Sequence, residues 1–233
     1  MKAVRDCAKL VGVLVVVVLF ACSGVYAEPI TATFDGPLTS VETSLSSHFA
    51  VGDLMHVSIT YESTTLDWWA ADPSSGLYLA ITSLDVSVGS YTASGSDGSF
   101  IIHDNDSGRD YVSGQVLSAA ASMGSPFTGT LTGPDVAGLP LWMFDVGLSD
   151  STQTALSSDA LPTSFDPSRF DYRQLSLAWR HETDHGTYND RIVATDFTST
   201  SSFHPVPVPG ALLLAGLGLG MASRLCHRTR RSA

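Results

Sequence analysis

Residues Met55 to Tyr61 read Met-His-Val-Ser-Ile-Thr-Tyr, with an apolar side chain at every second position. Strict alternation of this kind places all the apolar side chains on one face of a β-strand. The stretch from Leu77 to Val88 shows the same period in its second half, where Leu84, Val86 and Val88 share a face. The two stretches therefore predict half-buried strands of the antiparallel type.

The same pattern, punctuated by Gly, Pro, Asn or Asp, recurs through most of the chain. Further strand candidates are 30–34, 91–93, 100–103, 111–117, 139–148, 170–179 and 191–197. Short strands with turn residues between them favour an all-β fold, and we predict an antiparallel β-sandwich such as a jelly roll. Trp142 and Trp179 lie in alternating runs and are predicted to be core residues, whereas 149–167 is predicted to be one long surface loop.

The N-terminus has the features of a secretory signal peptide. A basic start is followed by an unbroken apolar segment at 10–21 and by small residues up to Ala27. We expect cleavage after Ala27, so that 1–27 is the signal peptide. An alternative stays open, because residues 19–22 resemble a lipobox in which Cys22 would carry a lipid.

The C-terminal segment 204–233 consists of three blocks in a fixed order. A stiff proline segment is followed by an uncharged run of small and apolar residues, and the chain then ends in arginines. The run 210–223 would be about 21 Å long as a helix, shorter than the roughly 30 Å of a hydrocarbon core. The residues that define the outer blocks are Val206, Pro207, Pro209, Gly210, Arg228, Arg230 and Arg231.

This tail resembles the PEP-CTERM sorting domain of exported proteins in Gram-negative bacteria. The resemblance implies recognition by an exosortase, a membrane-embedded cysteine transpeptidase that cuts near the proline motif. It also implies export machinery, transient residence in the inner membrane, and delivery to the outer surface or to an exopolysaccharide matrix. Val208 stands where that motif has its central Glu. A plain C-terminal membrane helix with a basic stop is the alternative.

The segment between the two ends, 28–203, is the predicted ectodomain and is long enough for one domain with a sizeable core. Its order of strands and turns resembles a recurrent ectodomain type of PEP-CTERM proteins that has no established activity. The segment keeps five arginines and no lysine against 22 acidic residues, a net charge of −17 with neutral histidines. Such a surface repels nucleic acid. All three cysteines lie outside it, so we predict no disulfide.

The sharpest chemical motif is His181-Glu182-Thr183-Asp184-His185, a literal H-E-x-x-H. In zinc hydrolases this spacing works because a helix places both imidazoles on one face, with the glutamate as general base. Here the motif follows a strand-like run and continues into turn residues at 186–190. We therefore predict a solvated hairpin and keep a metal-dependent hydrolase as the third functional hypothesis.

Two other sites remain as candidates. Asp104, Asp106 and Asp110 alternate in a loop between two strand candidates and could supply the oxygen ligands that calcium prefers. The alternative for this loop is an Asx-rich turn. Trp68 and Trp69, beside acidic residues, could form a platform for sugar rings, although packing in the core or as a cap over the end of the sandwich is the favoured interpretation.

The sequence therefore predicts an exported, non-enzymatic protein with a structural or adhesive role. The alternative is a carbohydrate-binding β-sandwich, with or without calcium, and exopolysaccharide is the expected macromolecular partner. No other cofactor is expected.

Overall fold

The computed structural model describes residues 29–121, 129–164, 166–183, 186–195 and 197–200. The predicted signal peptide and the predicted sorting tail lie outside these residues, as do the three cysteines. Across the described ranges, no helix has both the length and the apolar character needed to cross a membrane.

The regular secondary structure of the described residues is all β, apart from two single-turn 3-10 helices at Thr43–Leu45 and Pro167–Arg169. The ten strands are β1 (Pro29–Val41), β2 (Leu54–Glu62), β3 (Ser75–Val88), β4 (Tyr91–Gly95), β5 (Gly98–Asp106), β6 (Arg109–Leu117), β7 (Leu141–Asp150), β8 (Tyr172–Thr183), β9 (Gly186–Thr195) and β10 (Thr198–Thr200).

The strands form one antiparallel sheet that closes on itself. Eight of them follow one another in the order β1, β2, β3, β5, β6, β7, β8, β9. The sheet closes because β9 pairs with the second half of β1, at Leu38 with Ala194 and at Val41 with Ile192. The short strand β4 adds to the second half of β3, and β10 continues along β1 beyond β9. The result is a closed eight-stranded barrel with two short additions.

The all-β, antiparallel prediction is confirmed, and every predicted strand overlaps an observed one. The arrangement differs from the predicted sandwich, because the strands form a single closed sheet and not two sheets stacked face to face. Alternation of apolar and polar residues cannot separate these two cases, since each strand buries one face in both. The pairing of β9 with β1 distinguishes the barrel from a sandwich, and these two strands lie near opposite ends of the described chain.

Side chains fill the barrel interior. One continuous core contains Trp179, Tyr61, Phe34, Phe100 and Phe144, each less than 2 % exposed. The core prediction for Trp179 is therefore confirmed. That for Trp142 is wrong, because this half-buried ring lies under the guanidinium of Arg180, 4.4 Å from the ring centroid.

Both ends of the barrel are closed. At one end, which we call the loop end, the segment 151–171 folds inward: the Tyr61 hydroxyl donates to the Pro162 carbonyl at 2.7 Å, and Leu161 and Phe170 are buried. The prediction that 149–167 is one surface loop is therefore wrong in part, because 149–150 belong to β7 and the remainder helps to cover the core. At the opposite end the rings of Phe49, Tyr91 and Trp179 pack together, with centroids 5.4 to 5.5 Å apart. Function must therefore be sought on the outer surface.

The loop at the loop end is held by two buried carboxylates. Asp150, at the end of β7, accepts the backbone N–H groups of Thr152, Thr154 and Ala155. These hydrogen bonds hold the pKa of Asp150 well below its ordinary value. Asp110 accepts two further N–H groups, from Asn105 at 2.9 Å and Leu156 at 2.8 Å.

Candidate functional site

The connection between β2 and β3, residues 63–74, carries two tryptophans at the loop end. Asp67 Oδ1 accepts the N–H groups of Trp69 at 2.8 Å and of Leu77 at 2.9 Å, while the Trp68 N–H donates to the Leu77 carbonyl at 2.8 Å. These bonds hold the connection against the start of β3. Trp68 remains 62 % exposed and Trp69 40 % exposed.

The pair lies at an end of the barrel, but the interpretation that it packs into the core is wrong. The physical reason is that loop 151–171 already closes this end of the barrel, so the core offers no space for two indoles. Large apolar side chains held outward by a fixed backbone suit contact with another molecule.

Trp69 continues into a row of rings on the outer face of the sheet. Its ring centroid lies 6.4 Å from that of His103, and the two planes are inclined by 35°. His103 in turn stacks on Tyr111 across the β5–β6 pair, with centroids 6.0 Å apart and planes inclined by 25°. The Ser75 hydroxyl, 2.9 Å from His103 Nδ1, fixes the imidazole from the other side. We call Trp69, His103 and Tyr111 the aromatic row.

Two shallow hollows flank the aromatic row. The first, of about 590 Å³, is lined by Trp68, Trp69, Ala71, Asp72 and Pro73. The second, of about 360 Å³, is lined by His103, Asp106, Ser107, Arg109 and Tyr111. Each hollow thus combines aromatic surface with a carboxylate.

The carboxylates at this surface are placed to accept hydrogen bonds. The N–H and hydroxyl groups of Ser74 bind Asp72 and lower its pKa, so Asp72 is ionised at neutral pH. An Asp106 oxygen lies 3.6 Å from His103 Nδ1. A pyranose ring presents apolar C–H groups on its faces and hydroxyls at its rim. Flat rings bordered by acceptors match that pattern, since aromatic side chains combine an apolar face with polar contacts at the edge.

The sequence pointed to the tryptophans but not to His103 or Tyr111. A signal was nevertheless present: the predicted strands 100–103 and 111–117 are separated by a turn-rich segment. A hairpin across that turn places His103 opposite Tyr111, which is the register observed.

The predicted calcium ligands lie in the β5–β6 turn. Asp110 is fully buried and already accepts two N–H groups, and Asp104 accepts from the side-chain amide of Asn105 at 2.7 Å. Burial, together with the nearby charge of Asp110, raises the pKa of Asp104. Within the described ranges, no three His, Cys, Asp or Glu side chains are grouped as a metal site requires. Calcium binding by Asp104, Asp106 and Asp110 stays a prediction.

The H-E-x-x-H motif lies in the hairpin of β8 and β9. Glu182 pairs with Thr187 and Thr183 with Gly186, so the backbone around the motif is extended and not helical. Asp184 and His185 lie outside the described residues. The strand context predicted from the sequence is confirmed, whereas metal binding by the motif stays untested.

A larger concavity than either hollow lies elsewhere, on the outer face of β1 to β4. This groove, of about 740 Å³, is lined by six serines and threonines, by Asp35, His56 and Asp85, and by four small or apolar residues. His56 Nδ1 contacts a carboxylate oxygen of Asp35. The groove offers hydrogen bonds but has no aromatic platform among its lining residues. It is therefore the weaker of the two candidate sites.

Comparison of the chain with family models, with curated proteins and with solved structures gave no match.

Proposed function

We propose that this chain is an exported protein of the cell surface or exopolysaccharide matrix, with a structural or adhesive role, and that it adheres by binding carbohydrate at the aromatic row. The observation that carries the binding proposal is the pair Trp68 and Trp69, 62 % and 40 % exposed, in line with His103 and Tyr111.

The exported location rests on the two ends of the sequence, with a signal peptide before Glu28 and the proline, apolar and arginine blocks of 204–233. The body of the protein is compatible with that location. Its closed barrel derives its stability from a filled core and needs no disulfide. Its acidic surface keeps the protein soluble among neutral polymers.

Sugar binding on the outside fits this barrel better than binding inside it. Small barrels either enclose a ligand or are filled by their own side chains. Here Trp179, Phe100 and Phe144 occupy the interior, and the loop end is closed by the buried hydroxyl of Tyr61 bonded to Pro162. The recognition surface is therefore assigned to the outer rings.

The binding proposal is tested with Trp69→Ala and a matched control, Leu66→Ala. Leu66 lies in the same loop and is 83 % exposed, so its truncation removes apolar surface without touching the aromatic row. Affinity for immobilised neutral polysaccharides should fall at least about tenfold for Trp69→Ala, corresponding to about 1.4 kcal/mol, and stay unchanged for Leu66→Ala. Equal affinities for the two variants would refute the assignment.

Two additions to the same assay separate the alternatives. Loss of binding in chelator, restored by calcium, would support the calcium-assisted form of carbohydrate binding. Release of reducing sugar that disappears in Glu182→Ala would instead support the hydrolase hypothesis. We expect neither effect.

The sorting proposal is tested by the intact mass of the protein recovered from its own host. A form that begins at Glu28 and lacks the residues beyond the Pro207–Pro209 region, found outside the inner membrane, is the expected result. A full-length tail confined to the inner membrane would refute sorting, and a lipidated Cys22 at the N-terminus would replace the signal-peptide interpretation.

A further inference from the structure

The aromatic row continues, in register, across two more strands. Tyr111 on β6 pairs with Ser149 on β7, and Ser149 pairs with Tyr172 on β8. Directly paired residues point to the same face of a sheet, so Tyr172 shares the outer face with His103 and Tyr111. With strands spaced about 4.7–4.9 Å apart, Tyr172 stands two strands, or roughly 10 Å, beyond Tyr111.

Tyr172 is held in an orientation that presents its ring. Its hydroxyl contacts the side-chain oxygen of Gln174, two residues further along the same face of β8. The ring must therefore extend along the strand and not project away from it. Tyr172 is 49 % exposed and is therefore accessible to another molecule.

β7, the strand between Tyr111 and Tyr172, carries small residues on its outer face. The outward positions of β7 at this level are Gly147 and Ser149, which carry almost no side-chain bulk. Gly147 is itself buried, but a β-carbon there would meet its nearest atom only at 3.8 Å, an ordinary van der Waals contact, so no bulky group presses against this glycine. The outward residues between Tyr111 and Tyr172 are therefore small, and we call this stretch of the outer face the trough.

The charges around this trough restrict the ligand. Asp72, Asp106 and one arginine, Arg109, border the aromatic row, and Asp171, which accepts from Ser151, precedes Tyr172 in the chain. The ectodomain carries 22 acidic residues and five arginines. Carboxylates accept hydrogen bonds from hydroxyls and ammonium groups but repel other carboxylates and sulfates.

We propose that Tyr172 forms a distal subsite, and that the ligand is a linear polysaccharide of uncharged or amine-bearing sugars lying across β5 to β8 from Trp69 to Tyr172. This inference rests on the proposed carbohydrate binding at the aromatic row. A polysaccharide lying across the strands contacts the aromatic row with one sugar and Tyr172 with a later sugar. A disaccharide is therefore too short to contact both the aromatic row and Tyr172.

The test compares oligomers of two lengths on the full-length protein. Calorimetry measures binding of a disaccharide and of a hexasaccharide of neutral glucose, mannose or galactose, and of glucosamine. Tyr172→Ala should weaken hexasaccharide binding by about two- to tenfold, the usual worth of one aromatic contact, and leave disaccharide binding unchanged. Trp69→Ala should weaken both, while Tyr172→Phe, which keeps the ring, should retain most of the affinity.

The possible outcomes distinguish the subsite from the function on which it rests. If Trp69→Ala weakens binding but Tyr172→Ala weakens both oligomers equally or neither, the distal subsite is wrong and the aromatic row stands. If Trp69→Ala changes neither affinity, or no oligomer binds the unaltered protein, both proposals fall. Stronger binding of a uronic-acid hexasaccharide than of its neutral counterpart overturns the ligand class. Thermal unfolding of each variant provides the folding control.

Discussion

Gly114 is the position where the packing of the barrel interior makes the sharpest quantitative prediction. It lies on β6 directly opposite Phe100 on β5. A β-carbon at Gly114 would lie 2.6 Å from Phe100 Cε1 and 2.8 Å from Val146 Cγ1, well inside van der Waals contact. Phe100 is 1 % exposed, so its ring cannot swing outward to make room. The glycine is required because a large ring occupies the opposite position.

Gly114→Ala should therefore destabilise the fold. Overpacking of a core costs about 1–3 kcal/mol, and the loss of glycine's freedom in the unfolded chain offsets about 0.4–1 kcal/mol of this. We expect a net loss of up to about 2.6 kcal/mol, with about 1.3 kcal/mol at the middle of both ranges, and at that middle value a Tm lower by about 3–5 °C, since 1 kcal/mol corresponds to about 2–4 °C in a domain of this size.

Thermal unfolding followed by near-ultraviolet circular dichroism measures the effect, with urea unfolding as a second probe. Gly147→Ala is the matched control, because this glycine lies in a neighbouring strand and a β-carbon there has its nearest neighbour at 3.8 Å. Phe100→Leu combined with Gly114→Ala should be more stable than the sum of the two single changes predicts. A Gly114→Ala variant as stable as Gly147→Ala would refute the packing argument.

Three further predictions concern polar groups and are checked by urea unfolding. Tyr61→Phe removes the hydroxyl that donates to Pro162 and should lower the free energy of unfolding by about 0.5–1.5 kcal/mol. The surface control Tyr172→Phe should change it by less than about 0.5 kcal/mol, and equal effects of the two substitutions would contradict the role of the buried hydrogen bond. Burial raises the pKa of Asp145, so the stability that this group contributes is present below the ordinary carboxyl pKa and is lost as pH rises through the pKa of the folded state. Asp145→Asn should therefore stabilise the protein at neutral pH and have no effect in acid. A loss of stability at neutral pH would contradict this. Asp150 is the opposite case, since its lowered pKa gives a stabilisation that is present above the ordinary carboxyl pKa and is lost as pH falls through the pKa of the folded state. Asp150→Asn should be less stable at neutral pH, because an amide group replaces the oxygen that accepts two backbone N–H groups. If this loss of stability stays the same in acid, the linkage is refuted.

Strand positions could be predicted from the sequence because alternation is a local property. Met55, Val57, Ile59 and Tyr61 are all buried in β2, as their spacing requires. Closure of the sheet could not be predicted in the same way. It depends on hydrogen bonds between β1 and β9, which are far apart in the chain, and local patterns carry no information about such pairing.

The candidate site was predictable only in part, for a related reason. The sequence marks Trp68 and Trp69 as a candidate binding pair, but it does not predict their exposure. Exposure depends on whether another segment already fills the end of the barrel. That segment, 151–171, lies far along the chain. No local sequence pattern identifies Tyr172 as part of the site. Its place on the same face as Tyr111, two strands away, follows from two successive strand registers through Ser149.

Closure of the barrel also bears on how such a protein behaves when it is crowded. The edge of an open sheet presents free N–H and C=O groups that recruit strands from neighbouring molecules, and this is a common route to aggregation. Here β1 and β9 satisfy each other, and Ser94 on β4 exchanges two backbone hydrogen bonds with Thr132, at 2.9 and 2.8 Å. Under the proposed function, these two pairings would hinder strand exchange between copies packed in an extracellular layer, and cohesion of that layer would depend on what the proposed binding surface contacts.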